Sequence, residues 1–411
     1  MSKEVLYDKL AELAVKRGVN VQKGQPLVIR SQVSNYKFVE KVVAEAYRAG
    51  ASEVEVDWKD SRISVLGYNN RSEEQLADVP QWIHDREAFR HEKGVCYMSI
   101  VSEGPDALKE ADPKKILKYQ AAYGKKMQDL QSYTVNNIGQ WTVFGIPSTE
   151  WATRLFPELE PAEAFAKLED AIFQVSRVTE DTDVLKNWQE HDAELAAHAK
   201  KLNEYQFKAI HFTSELGTDL TVGLVKNHLW AGGSGFSASG VEFDPNIPTE
   251  EVFCMPECKN VNGIVYASKP LSYGGSLIEN FWLKFENGIV VDFGAEKCED
   301  ALKALLDTDE GSRSLGEVAL VPYDSPISQS GILFCDTLYD ENAACHLALG
   351  MPYPENLQGG NDMSEEELKA HGANASTVHE DFMFGTRELC ADGILEDGTE
   401  VPVFRNGNFV F

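Results

Sequence analysis

The feature that most constrains this 411-residue chain is a change of pattern between its two halves. In the first half, short apolar segments alternate with amphipathic ones. PLVIRS (26–31), EVEVDW (53–58) and VCYMSIVS (95–102) are predicted strands, and NYKFVEKVVAEAYRAG (35–50) is a predicted helix that ends at Gly50. This alternation predicts an α/β N-terminal domain with a largely parallel sheet covered by helices.

The second half has the pattern of antiparallel strands. In FWLKFENGIVVDFG (281–294), the Asn-Gly pair at 287–288 separates two strand-like segments and suits a type I′ hairpin turn. The Asp-Gly pair at 397–398 and the Asn-Gly pair at 406–407 repeat this pattern. The second half is therefore predicted to be an α+β C-terminal domain rich in antiparallel strands.

A long helical pattern, DVLKNWQEHDAELAAHAKKL (183–202), joins the halves and places His191 and His198 on one face. We interpret both as packing histidines rather than ligands. The expected domains are an α/β N-terminal domain (1–182), a connecting helix (183–205) and the C-terminal domain (206–411).

Charge and composition limit the partners of the chain. The net charge of −28 repels the phosphates of nucleic acid and anionic membrane surfaces. No run of about 18 apolar residues predicts a membrane span, and the charged N-terminus does not have the pattern of a signal peptide. Seven cysteines without a CxxC pair indicate reduced thiols. We expect a cytoplasmic protein that binds neither nucleic acid nor membrane.

Two motifs resemble those of other functional classes, but neither supports such a function. WAGGSGFSASG (230–240) has neither GxxxxGK[ST] nor GxGxxG, so a loop is favoured over a phosphate site. Cys345 and His346 are neighbours in a predicted helix, where adjacent side chains do not face one another. A cysteine nucleophile is therefore not expected.

Four segments of the second half carry candidate metal ligands. NIPTEEVFCMPE (246–257) brings Glu251 to the start of an extended stretch. LGEVALVP (315–322) places Glu317 near the start of an apolar strand, where a carboxylate is unfavourable unless it is paired or bound to metal.

The other two segments carry histidines. LYDENAACHLALG (338–350) is predicted to be a short helix that contains His346. TVHEDFMFG is predicted to be extended, so that His379 and Asp381 point to one face, roughly 7 Å apart, and Glu380 points to the other. Each segment also has a purely structural explanation, and its spacing alone does not establish that the side chains converge.

In this order, the four segments resemble the metallopeptidase family of thermophilic aminopeptidase T, which includes the AmpS- and PepS-type aminopeptidases. The similarity extends over essentially the whole chain and includes GTDLTVGL (217–224) and GEVALVPYDSPIS (316–328). It implies catalytic roles for Tyr353 and Glu317. The metal ligands that it implies are Glu251, Glu317, His346, His379 and Asp381.

Five such ligands are too many for one open catalytic ion and suit two divalent ions that share a carboxylate. Zinc, cobalt or manganese would fit this oxygen and nitrogen donor set. The resemblance implies a homodimeric aminopeptidase whose catalytic domain (206–411) releases N-terminal amino acids from peptides with a free N-terminus, by means of metal-activated water. It leaves the general base unidentified. A binuclear hydrolase of another amide or a phosphate ester, and an inactive metal-binding scaffold, stay open as alternatives.

Overall fold

The computed structural model describes residues 3–274 and 276–411. The chain forms two compact units, the first comprising the chain up to Glu190 with Ser234–Pro248, and the second His191–Gly233 with Thr249–Phe411. The segment Ser234–Pro248, which begins within the glycine-rich stretch, thus belongs to the first unit. The domain limits expected from sequence do not include this return of the chain. Within the described ranges, no helix is long and apolar enough to cross a bilayer.

The helices and strands are numbered here in chain order. The helices are α1 (Glu4–Leu13), α2 (Tyr36–Ala49), α3 (Ser61–Asn70), α4 (Glu73–Ala77), α5 (Gln81–Glu92), α6 (Pro113–Met127), α7 (Ser132–Val135), α8 (Thr149–Leu155), α9 (Pro161–Val175), α10 (Val184–Tyr205), α11 (Glu299–Leu306), α12 (Pro326–Ser330), α13 (Thr337–Asp340) and α14 (Glu365–Ala370). The strands are β1 (Pro26–Gln32), β2 (Glu53–Lys59), β3 (Cys96–Val101), β4 (Trp141–Gly145), β5 (Ala209–Thr213), β6 (Asp219–Leu224), β7 (Gly235–Phe236), β8 (Glu242–Phe243), β9 (Asn246–Ile247), β10 (Val252–Cys254), β11 (Pro256–Tyr266), β12 (Leu271–Tyr273), β13 (Ser276–Ile278), β14 (Trp282–Glu286), β15 (Ile289–Gly294), β16 (Leu315–Leu320), β17 (His346–Gly350), β18 (His379–Met383), β19 (Cys390–Ile394), β20 (Glu400–Arg405) and β21 (Asn408–Phe409).

The first unit is built on a parallel five-stranded sheet with the order β2-β1-β3-β4-β9. Helix α2 buries Val39, Val42 and Ala46 along one stripe. It ends where predicted, because Gly50 adopts the left-handed conformation (φ 106°) that a residue with a side chain rarely takes. The predicted parallel sheet covered by helices is confirmed.

The second unit is antiparallel, as predicted. One sheet has eight strands, in the order β15-β14-β11-β6-β5-β19-β20-β21, and another has four, in the order β10-β16-β17-β18. The predicted Asn-Gly turn joins β14 to β15, with positive φ at both Asn287 and Gly288. Between β19 and β20, only Gly398 of the Asp-Gly pair has a positive φ, so this turn is not type I′.

The two helical histidines of α10 have structural partners within the second unit. His191 Nε2 lies 2.7 Å from the Thr249 carbonyl oxygen. The ring of His198 stacks on Phe409, with the centroids 4.0 Å apart. These contacts agree with the interpretation of both residues as packing histidines.

The four-stranded sheet has one apolar face. Side chains from its four strands belong to the same buried cluster as those of the eight-stranded sheet. On the four-stranded sheet these include Val252, Val318, Leu347 and Phe382. Because successive side chains along a strand point to opposite faces, the residues directly before and after each of these point to the other face of the sheet.

Candidate metal centre

The opposite face of this sheet carries the predicted ligands. Ala348 of β17 is paired with Glu317 of β16 on one side and with Asp381 of β18 on the other. His346 is two residues from Ala348, and His379 is two residues from Asp381, so both share this face. The predicted extended conformation of TVHEDFMFG, which turns Glu380 away, is confirmed.

Glu251 joins the same face from the edge of the sheet. It lies immediately before β10, two residues from Phe253. Phe253 pairs with Ala319, which in turn pairs with His346. The structure therefore brings together all five candidate ligands, although they come from segments far apart in the sequence.

The helix predicted over 338–350 is wrong for His346. Helix α13 and a 3-10 turn (Glu341–Ala343) end before this residue, and His346 begins β17. The segment HLALG is paired with β16 on one side and β18 on the other, and this pairing outweighs the helix preference of its leucine and alanine residues. The strand is what aims His346 at the carboxylates.

The distances divide the candidate ligands into two groups that meet at Glu317. His346 Nε2 lies 3.0 Å from Glu251 Oε2 and 3.5 Å from Glu317 Oε1. These three residues offer ligand atoms that all lie within 4.8 Å of one another. On the other side, His379 Nε2 lies 3.7 Å from Glu317 Oε2 and 3.6 Å from Asp381 Oδ1. Glu317 thus turns one oxygen toward each histidine.

Hydrogen bonds to main-chain carbonyls orient both imidazoles. His379 Nδ1 lies 2.7 Å from the Met351 oxygen, and His346 Nδ1 lies 3.2 Å from the Ala344 oxygen. A carbonyl only accepts hydrogen bonds, so each Nδ1 carries a hydrogen and donates it. In the neutral ring, the lone pair of Nε2 then faces the carboxylates, which is the orientation of a ligating histidine.

The site concentrates negative charge in a buried place. Burial and the neighbouring Glu251 carboxylate raise the pKa of Glu317 to about 7, against the opposing effect of His346. Burial lowers the pKa of His346, but the Glu251 and Glu317 carboxylates outweigh this effect and raise its pKa well above the usual value. The carboxyl groups of the cluster therefore outnumber its imidazoles, so its own side chains do not balance the negative charge.

Two buried oxygens of the cluster face only imidazole nitrogens. Glu251 Oε2 lies 3.0 Å from His346 Nε2, and Asp381 Oδ1 lies 3.6 Å from His379 Nε2. Within the described ranges, neither oxygen accepts a hydrogen bond from any other group. A buried acceptor without a partner is costly unless a cation satisfies it. Together with the oxygen and nitrogen donor set and the oriented imidazoles, this shows that the residues fit divalent metal ions.

Two further side chains adjoin the cluster. Tyr353, which the sequence resemblance implied, has its ring centroid 4.9 Å from that of His379. Burial and then the Glu317 carboxylate raise the pKa of Tyr353 well above its usual value, so the phenol stays protonated. Glu341 was not predicted. Burial and the neighbouring Asp381 and Glu251 carboxylates raise the pKa of Glu341, and its only sequence signal was an acid five positions before His346.

Comparisons with known proteins cover the whole chain. A model of the thermophilic metalloprotease (M29) family matches residues 3–409. The chain is 47% identical to aminopeptidase AmpS of Bacillus subtilis (strain 168) over 401 residues, which cover 98% of this chain and 97% of the relative. It is 42% identical to aminopeptidase T of Thermus aquaticus over 403 residues, 98% of each chain. The solved structure of wild-type AmpT from Thermus thermophilus matches with a TM-score of 0.93 at 38% identity, with both chains fully covered.

Proposed function

Because this chain belongs to the thermophilic metalloprotease (M29) family, we propose that it is a metal-dependent aminopeptidase that releases N-terminal amino acids from peptides by means of two divalent ions. Relatives similar over nearly their full length are named aminopeptidases, which supports hydrolysis from the N-terminus. The observation that carries the proposal is the convergence of Glu251, Glu317, His346, His379 and Asp381 on one sheet face.

The position of Glu317 supports two ions rather than one. Its two oxygens face different histidines, so Glu251, Glu317 and His346 would hold one ion, while Glu317, His379 and Asp381 would hold the other. A shared carboxylate is expected when two catalytic ions lie about 3.5–4 Å apart. With Glu341, four carboxylates would balance the charge of two divalent ions. Zinc, cobalt and manganese all suit this donor set.

The chain's own residues would perform the remaining tasks. Bound ions would supply Lewis-acid polarisation of the scissile carbonyl and activation of a water molecule. Tyr353, which stays protonated, would donate a hydrogen bond to the oxyanion that forms at that carbonyl. The Met351 and Ala344 carbonyls would keep His379 and His346 in their ligating orientation through the reaction.

A free N-terminus would be recognised at the same site. Its amine could bind one of the ions or a nearby carboxylate, whereas an acetylated terminus is neutral and offers the ion no amine lone pair. Peptides with a free N-terminus are therefore the proposed substrates.

We further propose a cytoplasmic homodimer that binds neither nucleic acid nor membranes. None of the seven cysteines is joined in a disulfide, which supports a reducing compartment. The net charge of −28 disfavours anionic partners. The dimer rests on the family resemblance, and sedimentation equilibrium of the metal-loaded protein would test it.

The activity is tested with one peptide in two forms, with a free and with an acetylated N-terminus, each assayed with and without a chelator. We expect release of the first amino acid from the free peptide only, and only without the chelator. Equal hydrolysis of both forms would show an endopeptidase or another hydrolase instead.

A further inference from the structure

A small cavity lies beside the metal centre in the second unit. Its volume is about 190 Å³. Its walls come from the β12–β13 hairpin, the loop before α13, the 3-10 turn that contains Glu341, and β18. The proposed metal chemistry makes no use of most of these residues.

The cavity is continuous with the candidate ligands. Asp381 and Glu341 line both the cavity and the carboxylate cluster. Met383, another lining residue, is two positions beyond Asp381 on β18 and pairs with His346. It therefore lies on the same sheet face as the ligands, and the cavity adjoins the place where the scissile bond would be held.

We propose that this cavity takes the side chain of the substrate's first residue and selects uncharged aliphatic side chains, of about the size of leucine or methionine, over acidic ones. This inference rests on the proposed aminopeptidase function. The amine and the side chain of the first residue are bonded to the same Cα atom. A pocket for that side chain must therefore adjoin the site that binds the amine, and this cavity shares Glu341 and Asp381 with the candidate metal centre.

The size of the cavity limits its occupant. Pockets for drug-sized ligands have volumes of about 300–1,000 Å³, so 190 Å³ suits a single side chain rather than a stretch of peptide. Leu271, Leu277, Leu333 and Met383 form the apolar part of a lining that is otherwise mainly polar. An aliphatic side chain gains by burial against these four residues.

The charged groups of the lining exclude acidic side chains. Four carboxyl groups line the cavity, those of Asp336, Asp340, Glu341 and Asp381, and none of its described lining residues is a lysine, arginine or histidine. An aspartate or glutamate side chain would therefore add like charge to an acidic lining. Asp340 is also held as part of the wall, because its carboxylate accepts hydrogen bonds from the main-chain N–H groups of Phe334 (2.7 Å) and Asp336 (3.2 Å).

The test compares two dipeptide series on the metal-loaded enzyme, X-Ala and Ala-X, with X as Ala, Leu, Phe or Asp. For the wild type we expect kcat/KM to be about 10-fold or more higher for Leu-Ala than for Ala-Ala, and lowest for Asp-Ala. Leu333→Phe would fill the cavity from a loop position that is partly exposed. It should lower kcat/KM for Leu-Ala about 10-fold relative to Ala-Ala, while the preferences within the Ala-X series stay unchanged.

Two further variants complete the design. Leu333→Ala enlarges the cavity and should raise the relative kcat/KM for Phe-Ala. Leu216→Phe makes the same change as the filling variant at a half-exposed residue of the same unit, outside the cavity, and should leave every preference unchanged.

The inference is overturned if the Leu333 variants alter preference in the Ala-X series instead, or alter none. It is equally overturned if wild type favours Asp-Ala. In each of these results the wild type still cleaves free dipeptides, so the proposed function stands. Absence of turnover on every dipeptide would refute the proposed function and this inference together.

Discussion

Glu317 and Asp381 lie in one row across the four-stranded sheet, each paired with Ala348 between them. On the face that carries both carboxylates, only the methyl group of Ala348 separates the two strand positions. This small residue allows side chains from three strands to converge on one place. The site therefore requires Ala348, although the side chain of this residue has no polar atom.

Ala348→Val should therefore impair the metal centre. We expect metal content to fall and kcat to drop about 10–100-fold, as for changes that displace ligands without removing them. Ala391→Val is a matched control, since Ala391 is fully buried in β19 of the same unit. Both variants should lose stability through overpacking, by about 1–3 kcal/mol. Elemental analysis and thermal unfolding would separate the two effects, and equal metal loss in both variants would contradict this role for Ala348.

Asp381→Asn and Glu380→Gln make the same chemical change at adjacent residues that point to opposite faces of β18. Asp381→Asn should lower metal occupancy and nearly abolish turnover. Glu380→Gln should keep metal near the wild-type level and affect kcat modestly. Metal stoichiometry and kcat, measured side by side, check this, and the reverse pattern would show that the ligand assignment is wrong.

Tyr353→Phe should be slow but fully metal-loaded. The ring still packs beside His379, whereas the hydrogen-bond donor is lost. Loss of one oxyanion donor typically costs about 10²–10³ in kcat. Single-turnover kinetics on an unblocked dipeptide would measure this loss. Normal turnover would return Tyr353 to a packing role.

The local sequence pattern predicted those parts of the site that lie in strands, where side chains alternate between two faces. His379 and Asp381 are two residues apart in an extended segment, and Glu317 is a carboxylate within an apolar run. Asn287-Gly288 likewise fixed a hairpin, because both of its residues tolerate positive φ. In these cases the interactions that determine the structure are between residues that are close in sequence.

The parts that sequence did not predict depend on distant partners. His346 is in a strand because β16 and β18 pair with it from both sides, which the alanine-rich segment does not reveal. Glu341 belongs to the cluster because a 3-10 turn directs it there. The family resemblance supplied the ligand set, while the sheet register supplies the reason that these residues meet.

The first unit offers a test of the fold that is independent of metal. Arg90 is buried and donates two hydrogen bonds to Asp57, at 2.8 and 2.9 Å. Burial of Asp57 opposes ionisation, but Arg90 outweighs it and lowers the pKa of Asp57 below 3.8. A lowered carboxyl pKa stabilises the fold above the unfolded value, and this stability is lost as pH falls through the folded value.

Asp57→Asn should therefore lower the Tm at pH 7 and have progressively less effect as the pH falls below about 3.8. Asp170→Asn, at an exposed position of the same unit, should change the Tm little at either pH. Thermal unfolding across this pH range checks the prediction, and a Tm difference for Asp57→Asn that does not depend on pH would contradict it.

The central claim is that two ions share Glu317 and are both needed for hydrolysis. The most direct measurement removes metal with a chelator, verifies its absence by elemental analysis, and then returns zinc, cobalt or manganese in steps while hydrolysis of an unblocked dipeptide is followed. The account predicts no turnover without metal and full turnover only at two ions per chain. Full turnover of the metal-free protein, or full turnover at one ion per chain, would contradict it.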